Sequence, residues 1–293
     1  MSEKIHQIRI GTAQLGSNYG VSNKNGKIHA INFKEMTNVI ETYTSTKIDT
    51  AIDYNNAPTV IGQIRSGCDV TSKINTQTLV CDDYRDIIKE HLNQLGCKKL
   101  KHLLIHDPHT VLKSNMSENC KIINERALKL IQEGFVEKFG ASLNSTSDIK
   151  VLDCIDSITA LQVPFNFFDR RFVQPIISKK INLGNIFIQV RSIFLQGLLV
   201  QNSSERHKYF DQWKRAFDLF NMSAKNAKLT KVQYAIAFVL SYNFYDEIIV
   251  GVSSVQEVCE LLDFVKTVNI EKFHAPEIES MSVEILEPRK WKL

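Results

Sequence analysis

The sequence lacks the features of a membrane, secreted or nucleic-acid-binding protein. No window reaches the roughly 18 uninterrupted apolar residues of a membrane span, and the opening MSEKIHQIRIGT contains no apolar stretch of a signal peptide. The formal net charge is only +4, and the 36 Lys and Arg are interleaved with 32 Asp and Glu rather than gathered in a basic stripe. We therefore expect a cytoplasmic protein that binds neither membrane nor nucleic acid.

Cysteine, proline and glycine are also scarce. The 6 prolines and 12 glycines form no linker, repeat or low-complexity segment, so we expect one domain over residues 1–293. No C-x-x-C pair occurs, and a chain of 293 residues can build a core without disulfide bonds, so we expect reduced, mostly buried thiols. The six cysteines are Cys68, Cys81, Cys97, Cys120, Cys154 and Cys259.

Eight short β-branched or aliphatic runs indicate strands. They lie near residues 8, 47, 69, 102, 135, 160, 186 and 247. Amphipathic helical patterns separate them, for example over 82–95 and over 117–134, where Gly134 would end the helix. This alternation is typical of a parallel sheet covered by helices, and eight units predict an α/β fold, the closed (β/α)8 TIM barrel. The long interval from 190 to 248 carries two helical patterns and is interpreted as one unit with an inserted helix or lid.

Polar side chains follow three consecutive predicted strands. Strand two ends in Asp49 and is followed by Tyr54, strand three ends in Lys73, and strand four ends in His106. The active site of such a barrel lies at the C-terminal ends of its strands. A neighbouring Lys⁺ would lower the pKa of the Tyr54 phenol and make it a usable general acid, and Asp49 would keep Lys73 charged. With His106 orienting the substrate oxygen, the set suits a carbonyl that gains negative charge as hydride arrives from a cofactor.

Each of these residues also has a purely structural interpretation. Asp49 could cap a helix, Tyr54 could pack with its hydroxyl at the surface, Lys73 could be a solvated strand end, and His106 could be a core histidine. Their placement on consecutive strands favours the functional interpretation. A metal site is not expected, because His102 and His106 lie four residues apart on a strand and hence about 13 Å from each other.

Over nearly its whole length the sequence resembles the aldo-keto reductases. The matching segments are GTAQLG at 11–16, DTAIDY at 49–54, TSK at 71–73, LLIHDP at 103–108, FGAS at 139–142, LQVPFN at 161–166, VRSIFLQGLL at 190–199 and IIVGVSS at 248–254. The resemblance implies an NAD(P)-dependent oxidoreductase that reduces an aldehyde or ketone, or oxidises the alcohol, by direct hydride transfer. It implies the catalytic tetrad Asp49, Tyr54, Lys73 and His106. It further implies that Ser142 and Gln162 hold the nicotinamide carboxamide and that Gly11 and Thr12 line the nicotinamide end of the cofactor site.

Four positions, in three segments, depart from the family pattern. After the tyrosine, Asn55 and Pro58 stand where Gly and Glu are usual, which affects the loop that positions Tyr54. Leu143 replaces an asparagine after Ser142, which removes one amide. Arg191 stands where many members stack an aromatic ring on the nicotinamide. A guanidinium plane can stack as well, and its charge suits an anionic substrate or the cofactor's phosphates.

The segment after strand eight bears on cofactor preference. Gly251, Ser253, Ser254 and the following helix N-terminus would bind phosphate through backbone N–H groups. The 2′-phosphate of NADP(H) calls for a cation, yet the segment offers Glu257 and has no Lys or Arg before Lys266. A carboxylate near a ribose 2′-hydroxyl is typical of NAD sites. NAD(H) is therefore favoured over NADP(H).

Two other functions remain open at this point. One is a cofactor-binding regulatory barrel with little turnover, and the other is a lyase or aldolase that forms a Schiff base on Lys73. We expect a small-molecule carbonyl or alcohol substrate, carbohydrate-like or anionic, because the predicted pocket loops are polar and charged. Those loops carry Tyr19, Asp107 to Thr110, Phe165 to Asp169 and Gln201 to Phe220. A monomer or small homo-oligomer is expected.

Overall fold

Eight parallel strands close into a barrel in sequence order, and the first strand pairs with both the second and the eighth. The computed structural model describes residues 3–21, 23, 26–64, 67–113, 116–183, 186–278 and 281–293. The strands are β1 Ile8–Gly11, β2 Lys47–Asp49, β3 Asp69–Ile74, β4 Leu100–Ile105, β5 Val136–Ser142, β6 Ile158–Pro164, β7 Phe187–Arg191 and β8 Glu247–Gly251. The predicted (β/α)8 barrel is confirmed, with each predicted strand in its place.

Helices connect the strands. The α-helices of the described residues are α1 Ala13–Gly16, α2 Ala30–Glu41, α3 Ala57–Ile64, α4 Thr76–Val80, α5 Tyr84–Gln94, α6 Pro108–Val111, α7 Met116–Gln132, α8 Val173–Leu183, α9 Lys214–Asn226, α10 Lys231–Leu240, α11 Val255–Thr267 and α12 Val283–Leu286. Short 3-10 helices span Glu3–Gln7, Thr146–Asp153, Ser203–Glu205, Lys208–Trp213, Ile270–Lys272 and Pro288–Lys290. The long interval before β8 contains α9 and α10, as its two helical patterns predict. None of the helices described is both long and apolar enough to cross a bilayer.

Local sequence explains where individual helices begin and end. Thr230 and Gln233 form a reciprocal capping box that starts α10. Gly134 follows α7 with a φ of +78°, a conformation that glycine adopts without strain. The predicted end of α7 is therefore explained by a turn that other residues would make at a cost.

The lower part of the barrel interior is polar. On β1, Ile8 and Ile10 belong to the apolar core, whereas the intervening Arg9 is fully buried and donates hydrogen bonds to Glu247 and Asp69, both at 2.8 Å. Strand residues alternate between the two faces of a sheet, so one face packs under the helices and the other fills the barrel. Buried charges are tolerated only when paired. Buried hydrogen bonds connect this charged group to the site at the other end of the barrel.

The expectation for the cysteines is wrong for one pair. Cys120 on α7 and Cys154 form a disulfide, with their Cα atoms 5.7 Å apart. The thiols of Cys81, Cys97 and Cys259 form no disulfide and are only partly buried, and Cys68 is partly buried as well. A separation of 34 residues between the paired cysteines gave no signal in the sequence, because their proximity arises from the packing of two consecutive barrel units.

Candidate active site

A cavity of about 1390 Å³ opens at the C-terminal ends of the strands. The strand ends that line it are Gly11, Asp49, Ser142, Pro164, Arg191 and Gly251. From there the cavity continues along α11, past Glu257 as far as Thr267. All predicted site residues except Ser254 line this one cavity. The predicted loops contribute less than expected, because of those four segments only the one with Tyr19 reaches the wall.

Asp49 and Lys73 form a buried ion pair at the base of the cavity. Lys73 Nζ donates to Asp49 Oδ1 at 2.6 Å and to the Thr50 carbonyl oxygen at 3.0 Å. Only 5% of Asp49 and 2% of Lys73 is exposed, so neither charge is solvated by bulk water. Burial lowers the pKa of Lys73, and the charge of Asp49 opposes this shift. The predicted partnership is present, and the ammonium depends on it.

Tyr54 and His106 lie beside this pair. Lys73 Nζ lies 5.4 Å from the centroid of the Tyr54 ring, and the rings of Tyr54 and His106 are 6.1 Å apart with their planes at 70°. Burial, and then the negative charge of Asp49, raise the pKa of the Tyr54 phenol, while Arg191 acts in the opposite direction. The predicted net lowering of this pKa is therefore not found, because burial and the charge of Asp49 raise it. Tyr54 is held as the neutral acid.

The altered loop after Tyr54 still holds this residue at the cavity. Asn55 has a φ of +48°, a left-handed conformation in which asparagine is enriched, and its Nδ2 donates to the Gly16 carbonyl oxygen at 3.0 Å. A Cβ on Gly16 would lie 2.2 Å from the Tyr54 carbonyl oxygen, so glycine is required for this close approach. Pro58 lies in the first turn of α3, where proline is tolerated. The departures at Asn55 and Pro58 thus have a local structural explanation.

Asp53 is a partner of His106 that sequence reasoning missed. His106 Nδ1 lies 3.3 Å from Asp53 Oδ2, and the two side chains are 31% and 51% exposed. The hydrogen bond with His106 lowers the pKa of Asp53. A carboxylate bound to one ring nitrogen orients the imidazole and leaves the other nitrogen available to a ligand. Asp53 adjoins Tyr54 in the matched segment DTAIDY, which is the signal that could have found it.

Gln162 connects the predicted cofactor site to the ion pair. Its Nε2 donates to Asp49 Oδ2 at 2.8 Å and to Gln189 Oε1 at 3.2 Å, and its Oε1 accepts a hydrogen bond of 3.3 Å from Ser142 Oγ. Gln162 is fully buried, yet it lines the cavity. The sequence predicts Gln162 and Ser142 at this site. The bond from Gln162 to Asp49 crosses the barrel between residues 113 positions apart and could not be predicted.

Arg191 lies beside Asn144, which carries a side-chain amide one position after Leu143. Arg191 Nη2 donates to the Asn144 side-chain oxygen at 2.7 Å and to the Leu143 carbonyl oxygen at 2.9 Å, and Nη1 donates to Ser192 Oγ at 3.1 Å. Asn144 also lines the cavity and thus supplies an amide one position later than expected. Within the described ranges, no carboxylate forms an ion pair with Arg191. Its positive charge faces the cavity with only neutral partners.

At the far end of the cavity, Glu257 folds back onto the start of α11. Its carboxylate accepts hydrogen bonds from the Ser253 backbone N–H at 2.6 Å and from Ser253 Oγ at 3.0 Å. Ser254 lies outside the cavity wall and caps the helix by accepting from the Glu257 N–H at 3.2 Å. The role of Ser254 as a phosphate ligand stays a prediction, and the Glu257 carboxylate accepts the hydrogen bonds of Ser253 at this helix N-terminus.

Comparisons with known proteins identify the family and the fold. The profile of the Aldo/keto reductase family matches residues 7–282. The chain belongs to the aldo/keto reductase family. No match was found among curated proteins.

Solved structures of bacterial aldo-keto reductases share the fold of this aldo/keto reductase. One from Klebsiella pneumoniae, in complex with NADPH, has a TM-score of 0.67 and 18% identity over 94% of this chain and 93% of its own. The holo form of one from Bacillus halodurans has a TM-score of 0.68 and 15% identity over 89% and 87%. A glycerol dehydrogenase from Gluconobacter oxydans has a TM-score of 0.61 and 16% identity over 93% and 95%. At these identities the likeness shows the fold alone.

Proposed function

We propose that this aldo/keto reductase is a nicotinamide-dependent oxidoreductase that reduces an aldehyde or ketone, with Tyr54 as the proton donor. The observation that carries the proposal is the grouping of Tyr54, His106 and the buried pair of Asp49 and Lys73 at the base of one cavity. Membership of the family and the NADPH complex of the Klebsiella pneumoniae relative support it. Recovery of the alcohol product from a screen of aldehydes and ketones with reduced cofactor tests it, and the absence of any product would count against it.

The residues of the cavity fit an extended dinucleotide. Ser142 and Gln162 offer a hydroxyl and an amide oxygen near the catalytic group, which suits a carboxamide. The cavity extends from there to the N-terminus of α11, and its about 1390 Å³ is above the range of about 300–1,000 Å³ usual for small-molecule pockets. When bound, the reduced cofactor supplies the hydride that is added to the carbonyl carbon.

The protein's own residues handle the proton and the developing charge. Tyr54 donates its hydroxyl proton to the carbonyl oxygen as that oxygen becomes negative. His106, held by Asp53, donates a hydrogen bond to the same oxygen and orients the substrate. Lys73 remains a cation through Asp49 and stabilises the phenolate left after proton donation.

A Schiff-base role for Lys73 is the less favourable alternative. Two of the three ammonium donors of Lys73 are committed to Asp49 and Thr50. An attacking amine must be neutral and free to approach a carbonyl. Asp49 at 2.6 Å holds the nitrogen as an ammonium instead.

We further propose that the substrate carries an anionic group that Arg191 binds. A charge-assisted hydrogen bond contributes about 1.5–3 kcal/mol. Arg191→Met is therefore expected to lower kcat/KM for 4-carboxybenzaldehyde about 10- to 100-fold, and to change that for its neutral methyl ester by less than about threefold. Arg191→Lys keeps the charge but loses the planar guanidinium. Its kcat/KM for 4-carboxybenzaldehyde is expected to lie between those of the wild-type protein and of Arg191→Met.

The control for this prediction is Arg215→Met. It removes the same charge from α9, outside the cavity wall. Equal losses for the acid and the ester in Arg191→Met, or an equal effect of Arg215→Met, would contradict an anionic substrate site at Arg191.

Glu257 carries the proposed preference for NAD(H). A 2′-phosphate would meet the Glu257 carboxylate, whereas a 2′-hydroxyl can donate a hydrogen bond to it. Fluorescence titration is expected to show tighter binding of NADH than of NADPH. In Glu257→Arg, the ratio of the NADPH to the NADH dissociation constant is expected to fall about 10- to 100-fold, because a repulsion is replaced by a charge-assisted hydrogen bond.

Glu90→Arg makes the same charge change on the exposed face of α5. It is expected to leave both dissociation constants unchanged. If the wild-type protein prefers NADPH, or if Glu257→Arg has no more effect than Glu90→Arg, Glu257 does not select the cofactor.

A further inference from the structure

A continuous chain of buried hydrogen bonds runs through the barrel from the catalytic pair to its opposite end. It passes from Asp49 to Gln162 at 2.8 Å, from Gln162 to Gln189 at 3.2 Å, and from Gln189 Nε2 to Glu247 Oε2 at 2.9 Å. Glu247 is bound in turn by Arg9. All five side chains are at most 5% exposed. Two amides thus lie between a catalytic carboxylate and a structural one.

The lower end of this chain fixes the orientation of the Gln189 amide. Although burial alone would raise it, Arg9 and Lys47 lower the pKa of Glu247 to about 2, so this carboxylate is ionised. An ionised carboxylate only accepts hydrogen bonds. Gln189 must therefore direct Nε2 toward Glu247, where it also donates to Thr71 Oγ1 at 2.9 Å. Its oxygen Oε1 is left facing Gln162.

Asp49 and the oxygen of Gln189 together determine the orientation of the Gln162 side-chain amide. Gln162 meets two acceptors, Gln189 Oε1 and Asp49 Oδ2, and both call for its Nε2. Among the described residues, its Oε1 accepts one hydrogen bond, of 3.3 Å from Ser142, so one lone pair of this cavity-lining residue remains for a ligand. Because Gln162 Oε1 is a hydrogen-bond acceptor, a ligand group that binds to it must be a hydrogen-bond donor.

Resting on the proposed function, we propose that Gln189 is a positioning residue. It holds Gln162 with Nε2 on Asp49 and Oε1 toward the cavity, where Oε1 accepts a hydrogen bond from the amino group of the nicotinamide carboxamide. Without the oxygen of Gln189, the Gln162 amide is held by Asp49 alone, so its plane can rotate and Oε1 points less directly at the cavity. Gln189 itself is absent from the cavity wall and acts only through Gln162.

The test compares NADH with reduced 3-acetylpyridine adenine dinucleotide, in which a methyl ketone replaces the carboxamide and the amino donor is lost. One neutral hydrogen bond corresponds to about 0.5–1.5 kcal/mol, so the wild-type protein is expected to bind NADH about three- to tenfold more tightly than the analogue. In Gln189→Met this ratio is expected to fall below about twofold. Direct fluorescence titration of each reduced cofactor gives both dissociation constants without turnover.

Gln189→Glu separates positioning from stability. A carboxyl group at 189 accepts from Gln162 in either protonation state, so the NADH-to-analogue ratio is expected to stay at its wild-type value. The same variant places two buried carboxyl groups together and is expected to unfold at lower urea than Gln189→Met. Should Gln189→Met not fold, Glu247→Gln gives the same test, because an amide at 247 lets Gln189 turn over.

The outcomes distinguish this inference from the function on which it rests. Loss of the ratio in Gln189→Met with retention in Gln189→Glu supports the positioning role. A wild-type protein that binds NADH while Gln189→Met keeps the full ratio would overturn the role of Gln189 and leave the proposed function intact. A wild-type protein that binds no reduced cofactor would overturn both.

Discussion

Replacement of Tyr54 by phenylalanine is expected to lower kcat for carbonyl reduction about 10²- to 10⁴-fold, because a positioned proton donor contributes about that factor. The phenyl ring can keep the contacts of the tyrosine ring with Lys73 and His106. The shape of the cavity is therefore preserved, and NADH is expected to bind as it does to the wild-type protein. Product formation at saturating cofactor and substrate measures the loss, and titration with NADH measures binding.

Tyr209→Phe is the matched control. Tyr209 lies in the 3-10 helix before α9, outside the cavity wall, and its hydroxyl makes only a 3.4 Å bond to the Glu284 carbonyl oxygen. It is expected to retain full turnover. Full turnover in Tyr54→Phe would show that Tyr54 is not the proton donor.

The second large effect is expected at the buried ion pair. Lys73→Met leaves Asp49 as an uncompensated buried charge, which costs about 3–5 kcal/mol in the free energy of unfolding. It also removes the cation that stabilises the Tyr54 phenolate, so kcat is expected to fall at least about 100-fold. Urea unfolding and carbonyl reduction are to be measured on the same preparation.

The double variant Asp49→Asn, Lys73→Met separates these two effects. It removes both charges, so more than half of the lost stability is expected to return, while kcat stays low. Lys47→Met is the comparison, because Lys47 is partly exposed and leaves Glu247 paired with Arg9. That variant is expected to keep its turnover. Recovery of activity in the double variant would show that Lys73 has only a structural role.

Much of the fold follows from the pattern of the sequence. The eight apolar runs are strands because each is short, rich in branched residues and separated from the next by a segment with helical spacing. The grouping of the four proposed catalytic residues could be predicted from the same pattern, since strand ends of a parallel barrel meet at one rim. Asp49 ends β2, Lys73 is the last residue but one of β3, and His106 directly follows β4, so their positions depend mainly on strand boundaries.

The remaining features depend on contacts between distant parts of the chain. Gln189 bonds to Gln162 and Glu247 across the barrel, and the order of residues along one strand does not reveal such a partner. Leu143 lacks a side-chain amide, and Asn144 brings one to the cavity from the next position. The placement of Asn144 depends on the path of the chain after β5. The hydrogen bonds from Ser253 to the Glu257 carboxylate arise from the turn at the start of α11, and the sequence does not reveal them.

The most direct test of a nicotinamide-dependent function is fluorescence titration of the unmodified protein with NADH and with NADPH, because it requires no knowledge of the substrate. Saturable binding of one reduced dinucleotide per chain, tighter for NADH, is the predicted result. It would be accompanied by competition from the oxidised cofactor at the same site. Failure of both NADH and NADPH to bind would contradict the account and make chemistry at Lys73 without a dinucleotide the leading alternative.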